Sequence, residues 1–268
     1  MAPMKESITD LKNPMCLKGK TAIISGGERG IGFGIATAFS QRGAKVAILC
    51  PDIESSRKAA DELKANGGEA IALKCDITDV ESVKAAVGEA WNAFGRVDIL
   101  VNNAGISVRK PFLEFDDDIN EFTSVINVNL FGTMRMTLAC AKRMATQGGG
   151  CIINISSIGG LTCSLVEGGP MAGYQASKAA LNHLTQMNAV EFSPSNIRVL
   201  AVAPGPTHTD LDAMLSDEIR DSMAKRTCTG RWGEALEIGS LCAYLASDEA
   251  TQINGIVIPV DGGLLAKT

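Results

Sequence analysis

The sequence predicts an α/β protein in which a doubly wound parallel sheet carries helices on both faces. Three features predict it. Seven strand-length apolar runs recur along the 268 residues, and longer amphipathic segments of helical period separate them. A glycine cluster directly follows the first run. Alternating strands and helices require right-handed crossovers, which build a parallel sheet.

The runs come in order as "KTAIIS" (20–25), "KVAILC" (45–50), "AIALKC" (70–75), "VDILVN" (97–102), "CIINIS" (151–156), "IRVLAV" (197–202) and "GIVIPV" (255–260). They are apolar throughout rather than alternating, as strands covered on both faces are. Segments such as "ESSRKAADELKAN" and "DVESVKAAVGEAWNAF" supply the intervening helices. In such sheets ligands bind beyond the carboxyl ends of the strands, so the residues following each run are where chemistry is expected.

Composition narrows the class. Hydrophobic residues make up 46% of the chain and the net charge is −5, with no basic patch, which argues against a nucleic-acid partner. No linker, low-complexity tract or internal repeat divides the chain. One domain over 18–268 is expected, with 1–17 as an extension strapped loosely over it. No apolar run reaches the roughly 18 residues of a membrane helix. The N-terminal "MAPMKESITDLKNPM" lacks the apolar core of a secretory signal, so a cytoplasmic location is expected. The eight cysteines are scattered without a C-x-x-C, and several sit inside apolar runs. Free thiols there act as small hydrophobes in a reducing compartment. The two histidines, His183 and His208, are far apart in sequence, which leaves no metal site and no histidine-based triad.

"SGGERGIGFG" follows the first run and leads straight into a helical segment. Ser25, Gly26, Arg29, Gly30, Ile31 and Gly32 form this turn, where glycines permit close backbone approach and a helix N-terminus offers free N–H groups to an anion. The spacing lacks the G-K-[ST] ending of a P-loop, which removes a nucleotide-triphosphatase. A glycine cluster alone would be an ordinary turn. Its position after the first strand of a parallel sheet makes it a dinucleotide cradle. Further strand ends add to it. "CDI" places Asp76 and Ile77 after the third run, where a carboxylate can accept an adenine amino hydrogen. "VNNAG" supplies Asn103, Ala104 and Gly105, small enough to pass a flat ring. "APGPTHT" supplies Pro204, Gly205, Thr207 and Thr209 around a rigid turn.

An acidic residue ending the second strand binds ribose hydroxyls and repels a 2′-phosphate. Here Cys50 holds that position, followed by Pro51 and Asp52. Arg29 can pair with a 2′-phosphate. The balance favours NADP(H), with NAD(H) the alternative if Asp52 swings toward the ribose.

Tyr174 and Lys178 lie four residues apart in "YQASK", on one face of a predicted helix. A free phenol, with a pKa near 10, is a poor base at neutral pH. A nearby ammonium and the positive charge of an oxidised nicotinamide ring both favour the phenolate. The pair becomes an acid/base for carbonyl–alcohol interconversion, although an isolated Y-x-x-x-K is more often a surface contact. Ser156 and Ser157 end the fifth run, and one of them can hydrogen-bond a substrate oxygen. Phe122, Ile126, Asn129 and Thr133 share a helical stripe that puts Asn129, not Asn127, on the buried side. A buried asparagine without partners costs on the order of 1–3 kcal/mol, so it has a structural or relay task.

"SGGERGIG", "CDI", "NNAG", Asn129, Ser157, "YQASK", "APGPTHT" and "NGIVIPVDGG" together resemble the short-chain dehydrogenase/reductase family, in the family's order from about Lys18 to Gly263. The resemblance implies a single-domain, seven-stranded Rossmann fold and hydride transfer with a nicotinamide cofactor. It implies a catalytic tetrad of Asn129, Ser157, Tyr174 and Lys178. Tyr174 would be the acid/base, and Lys178 would bind the nicotinamide ribose and lower the tyrosine pKa. Ser157 would hold the substrate oxygen and Asn129 a relay water. It places Asn103 beside the cofactor and Thr207 and Thr209 on its carboxamide side. It also implies a homotetramer or homodimer built on helices within 117–146 and 173–192, with "NGIVIPVDGG" as a second contact.

Two departures stand out. Ser25 replaces the usual threonine, and the Ser157-to-Tyr174 spacing of 17 positions is longer than usual. The added "CSLVEGGPM" is expected to shape the substrate pocket. By the same resemblance, 207–230 forms a lid. Met214, Leu215 and Met223, with Leu161, Leu165 and Met171 opposite, point to a small-molecule substrate of hydrophobic character. That means a hydroxysteroid-like or 3-oxoacyl-like secondary alcohol or ketone rather than a small polyol or sugar. The rival class, a non-catalytic dinucleotide-binding regulator, is disfavoured because both Tyr174 and Lys178 are present.

Overall fold

The computed structural model describes residues 15–163, 169–209 and 215–267. The expected strap over residues 1–14, and Leu165 and Met214 of the expected pocket, lie outside the described residues. Strands β1 (Thr21–Ser25), β2 (Lys45–Cys50), β3 (Glu69–Lys74), β4 (Ile99–Asn102), β5 (Gly150–Ile155), β6 (Ile197–Pro204) and β7 (Val257–Val260) match the seven apolar runs within two residues. They form one parallel sheet in the order β3-β2-β1-β4-β5-β6-β7. The order reverses between β1 and β4, and that switch point opens a crevice at the carboxyl edge.

Eight α-helices flank the sheet among the described residues: α1 (Gly30–Gln41), α2 (Ile53–Ala65), α3 (Val80–Phe94), α4 (Asn120–Ile126), α5 (Thr133–Gln147), α6 (Ala172–Glu191), α7 (Asp217–Arg226) and α8 (Ala235–Ala246). The period-2 alternation of the strands sorts their side chains into two cores. Ala22, Ile24, Val46, Ile48, Ile99 and Val101 pack with Ile35 and Phe39 of α1 and Ile238 and Cys242 of α8. Ile23, Leu49, Leu100 and Ile152 pack with Val83 and Val87 of α3 and Met136 and Cys140 of α5. A strand needed in both cores has no polar side, which is why the runs read as continuously apolar. Each large aliphatic or aromatic side chain fully buried this way contributes roughly 1.5–3 kcal/mol. The rule fails at the edge, where β7 is only partly buried because one neighbour is missing.

Local signals set where the helices begin. Asp52 caps α2 by accepting from the Glu54 amide, and Asp79 caps α3 by accepting from the Glu81 amide. Such caps contribute about 1 kcal/mol each. In contrast, α1 starts after Arg29 with no side-chain cap and no acidic residue in its first turn. Its leading N–H groups therefore keep their capacity for a ligand. α1 is pinned against α8 by paired glycines, since a Cβ on Gly239 would lie 2.3 Å from the Gly34 carbonyl oxygen.

One element departs from the expected period. α4 runs into α5 through a π-helical turn, Asn127–Gly132. The wider turn shifts the apolar stripe, so Asn129 and Thr133 are buried as expected while Val125, not Phe122 or Ile126, is the buried residue of α4. Gly132 in this turn packs on Ile77, where an added Cβ would meet the Ile77 side chain at 2.7 Å.

Candidate active site

The glycine turn is built for close approach. Gly26 and Gly30 have φ of +64° and +52°, in the left-handed region that favours glycine. Gly32 is required for another reason, since a Cβ there would sit 1.9 Å from the Gly26 carbonyl oxygen. The turn is tied sideways to β2 by a bond from the Gly26 amide to the Leu49 carbonyl at 2.7 Å. It is tied to β4 by Asn103, whose side-chain amide donates to the carbonyls of Ser25 at 3.2 Å and Gly26 at 2.7 Å. Ser25 is buried, and its hydroxyl accepts from the amides of Asn103 and Ala104. Thus Ser25 and Asn103 shape the turn through its backbone. Ile31 follows Gly30 in the uncapped first turn of α1. This stretch suits the pyrophosphate of a dinucleotide, because it offers free N–H groups, a positive dipole end and no side chain in the way.

The other strand ends surround the turn. Thr209 lies over Gly30, where an added Cβ would meet its Cγ2 at 3.4 Å. Thr207 is buried, its hydroxyl donating to the Gly205 carbonyl at 3.0 Å. Gly205, next to Pro204, leaves no room for a Cβ against Asp261. Asp76 is exposed, and hydrogen bonds from the Thr78 hydroxyl and amide hold its carboxyl below the usual carboxylate range. Ile77 is buried beside it.

The end of β2 is more constrained than expected. Asp52 is committed as the α2 cap and also accepts from the Ser55 hydroxyl, which holds its carboxyl low. The Cys50 thiol donates to the Asp52 carbonyl and accepts from Ser56, and it is buried. Arg29 is the exposed member of the turn, its side chain 68% accessible, whereas the Glu28 side chain beside it is only 15% accessible. Sequence reasoning passed over Glu28. Its place inside a glycine turn, among residues chosen for small size, was the available signal.

α6 carries Tyr174 and Lys178 on one face, as their spacing predicts, with the ammonium 5.5 Å from the centre of the Tyr174 ring. Lys178 is buried, and its ammonium donates to the Ile155 carbonyl at the end of β5 at 2.7 Å. That burial lowers its pKa to about 8. The two serines separate cleanly. Ser156 is buried and donates to Asn182 at 2.6 Å, on the side away from the crevice. Ser157 accepts from the Gly159 amide at 3.1 Å, and its hydroxyl lies on the side of the Tyr174 phenol and favours the phenolate. Burial nevertheless pushes the Tyr174 pKa up, and Ser157 offsets only part of it. In the protein alone, desolvation of the phenol is the larger influence on its acidity.

Asn129 joins three elements. Its side-chain oxygen accepts from the Ile106 amide at 2.8 Å, and its amide donates to the Ile106 carbonyl at 2.9 Å and the Ser177 hydroxyl at 3.1 Å. Ser177 in turn donates to the Tyr174 carbonyl. Gly105 completes the group, since a Cβ there would lie 3.2 Å from the Asn129 side-chain oxygen and 3.7 Å from the Lys178 nitrogen. The asparagine side chain is thus fully engaged as a tie between the loop after β4 and α6. Ser177, its partner, was not singled out from the sequence, although it sits inside "YQASK".

Of the pocket residues, Leu161 is 44% exposed, and Met171, Leu215 and Met223 are half-buried. α7 is held down through Trp232, whose indole donates to the Arg220 carbonyl at 3.0 Å and whose ring stacks on His208. Among the described residues, no group of His, Cys, Asp and Glu could hold a metal ion, and no helix is long and apolar enough to cross a membrane.

Comparison with known proteins agrees with this geometry. The family described as enoyl-(acyl carrier protein) reductase matches residues 26–265. A 3alpha-hydroxysteroid dehydrogenase of Mediterraneibacter gnavus is 39% identical over 92% of this chain and 98% of its own. The crystal structure of a short-chain type dehydrogenase/reductase from Mycobacterium marinum has a TM-score of 0.90 at 33% identity, covering 95% of this chain and 99% of that one. A 7alpha-hydroxysteroid dehydrogenase solved with NADH and 7-oxo glycochenodeoxycholic acid has a TM-score of 0.87 at 34% identity, covering 93% and 95%. The chain belongs to the short-chain dehydrogenase/reductase family of Rossmann-fold, NAD(P)-dependent oxidoreductases.

Proposed function

We propose that this oxidoreductase interconverts a secondary alcohol and a ketone, with Tyr174 as the acid/base. The observation that carries the reading is the placement of Ser157 and the buried Lys178 ammonium around one half-buried tyrosine, with the ammonium 5.5 Å from its ring centre. When bound, the nicotinamide cofactor supplies or accepts the hydride. Ser157 holds the substrate oxygen beside the phenol, and the phenol gives its proton to that oxygen during reduction or takes it during oxidation. Lys178 holds the cofactor ribose, and Asn129 fixes the loop and helix that carry these groups. A relay water at Asn129 would use its main-chain carbonyl, which also accepts from the Thr133 hydroxyl. Asp76 and Ile77 face the adenine, Asn103 to Gly105 the ribose passage, and Pro204, Gly205, Thr207 and Thr209 the carboxamide side.

The substrate is a hydrophobic one, hydroxysteroid-like or 3-oxoacyl-like. The half-buried Met171, Leu215 and Met223 support this, as do the names of the hydroxysteroid dehydrogenases to which the chain is similar. Spectrophotometric screening of hydroxysteroids, 3-oxoacyl thioesters and small polyols, with both cofactors, tests it. Turnover confined to the polyols would overturn it. Between the cofactors, Arg29 and the missing carboxylate at the end of β2 favour NADP(H), and Asp52 is the residue that would favour NAD(H).

A homotetramer or homodimer in a reducing cytosol completes the proposal. Phe131, Met134 and Leu138 around α5 and Met187 and Val190 on α6 expose large apolar surface, which monomers rarely leave uncovered. All eight cysteines are unpaired. Light scattering at micromolar concentration is expected to give a multiple of 28.1 kDa, and a monomer alone would refute the assembly.

A further inference from the structure

Ser177 is a fully buried residue between Tyr174 and Lys178 in α6, and the chemistry proposed above gives it no task. Its hydroxyl donates to the Tyr174 carbonyl at 2.7 Å and accepts from the Asn129 side-chain amide at 3.1 Å. A helical serine that bonds a carbonyl one turn back is ordinary and needs no second partner. The second partner sets Ser177 apart. Because Asn129 donates to it, the hydroxyl cannot donate in return, and its own proton stays with the Tyr174 carbonyl. Asn129 is itself oriented, since its side-chain oxygen takes the Ile106 amide at 2.8 Å. One directed chain of hydrogen bonds therefore runs from Ile106 through Asn129 and Ser177 to the Tyr174 backbone, and such chains strengthen their members.

The first turn of α6 has little else to fix it locally. Met171, its N-cap residue, makes no side-chain cap, and no acidic residue lies in the first turn. Tyr174 stands in that turn, as the third residue of the helix. Gly173 and Ser177, four apart, share the face turned toward α4 and the π turn. A Cβ on Gly173 would lie 3.3 Å from the Val125 Cβ and 3.4 Å from the Phe122 Cα, so glycine brings α6 close there. One turn further on, Ser177 makes the bond to Asn129 in the π turn. Packing sets how near the helices lie, and the serine sets how α6 is rotated about its axis.

We infer that Ser177 is a positioning residue for the reaction, tying the turn of α6 that carries Tyr174 to Asn129 and so fixing where the phenol meets the substrate oxygen. The inference rests on Tyr174 being the acid/base, as proposed above. Ser177 acts through its two bonds and not on the substrate. Its effect is large for a single hydroxyl because a displacement of about 1 Å at the reacting groups costs up to about 100-fold in rate. Ser177→Ala leaves one Asn129 N–H buried without an acceptor and the Tyr174 turn without its tie. Lys178, one residue on, keeps its own bond to the Ile155 carbonyl, so the ammonium stays in place.

The chain has two tyrosines, Tyr174 and Tyr244, so in a Tyr244→Phe background the ultraviolet phenolate absorbance reports Tyr174 alone. Burial pushes the Tyr174 pKa up, and the background protein should ionise above the ordinary phenol value. Ser177→Ala should lower that midpoint by at least about half a pH unit, a factor of about three, because the released turn lets the phenol reach solvent. Ser177→Cys, close in size and weaker in hydrogen bonding, should recover part of the difference. With a 7-ketosteroid as the probe ketone, kcat should fall about tenfold in Ser177→Ala. KM and the fluorescence-titrated affinities for NADH and NADPH should stay within about twofold. A midpoint unchanged in both variants, or affinities that fall in step with kcat, would overturn the inference and leave Tyr174 as the acid/base. Equal changes in the cysteine and alanine variants would show that the hydrogen bonds are not what matters, and would overturn it as well. If wild type leaves the probe ketone unreduced, the substrate reading fails and the phenol titration alone decides. If Ser177→Ala does not fold, the midpoint of Ser177→Cys decides. Turnover retained by Tyr174→Phe would remove the acid/base reading, and this inference with it.

Discussion

Tyr174→Phe is expected to lower turnover by at least about 100-fold while leaving cofactor affinity within about twofold of wild type. The first figure is the scale of a lost general acid/base. The second follows from what the substitution keeps. The ring still lies over Lys178, and the substitution removes no hydrogen bond that holds α6 in place. The substitution also separates two accounts of the phenol's acidity. Burial holds the Tyr174 pKa up in the protein alone, so the protonated phenol is the resting form and is ready to protonate a ketone oxygen. Oxidation of an alcohol requires the phenolate, and the only further positive charge on offer is that of the oxidised nicotinamide ring. The alcohol-oxidising rate of wild type should therefore rise with pH through the neutral-to-alkaline range, and the ketone-reducing rate should fall. Steady-state rates in both directions, beside fluorescence titration of the cofactor, check both points. A phenylalanine variant retaining more than about a tenth of wild-type turnover would refute Tyr174 as the acid/base.

Much of this arrangement was legible in the sequence, for reasons that differ by element. Strands read well because each serves two cores, so after Lys45 the run "KVAILC" is apolar on both faces and ends where the sheet ends. Tyr174 and Lys178 read well because their relation is local, set by helical spacing within α6. Asn129 was found through the stripe it shares with Thr133, even though a π turn alters the period around it. What sequence could not supply was competition for partners. Asp52, a candidate for the ribose, also caps the α2 N-terminus, which spacing alone did not show. Ser156 and Ser157 were told apart only through the resemblance, and strand alternation gives the physical reason, because it sends Ser156 to Asn182.

Lys178→Met is expected to have the other large effect, on stability as well as rate. Turnover should fall by about 100-fold or more, because the ammonium that neighbours the phenol and is proposed to hold the cofactor ribose is gone. The stability change depends on pH, and its sign follows from burial. Lys178 has a pKa of about 8 in the folded chain and about 10.5 when unfolded. Between those values the unfolded chain holds a proton that the folded chain has released, so wild-type stability rises with pH across that window. The rise from this group amounts to about 3 kcal/mol. Below pH 8 the folded protein carries a desolvated ammonium, supported by its bond to the Ile155 carbonyl at 2.7 Å. Methionine removes both the desolvation cost and that bond, which is worth about 1–3 kcal/mol to a buried carbonyl. The two changes nearly cancel at pH 7, and the variant should unfold at a similar urea concentration there. By pH 10 wild type should have pulled ahead by 2–3 kcal/mol, because only its ammonium has been discharged. Tyr174 and the buried thiols titrate in both proteins and drop out of the difference. Urea unfolding of wild type and variant at intervals from pH 7 to 10 measures it directly. Parallel curves would mean that the ammonium is solvated in the folded state, and a solvated lysine could not be held against the phenol in the way the proposed chemistry requires.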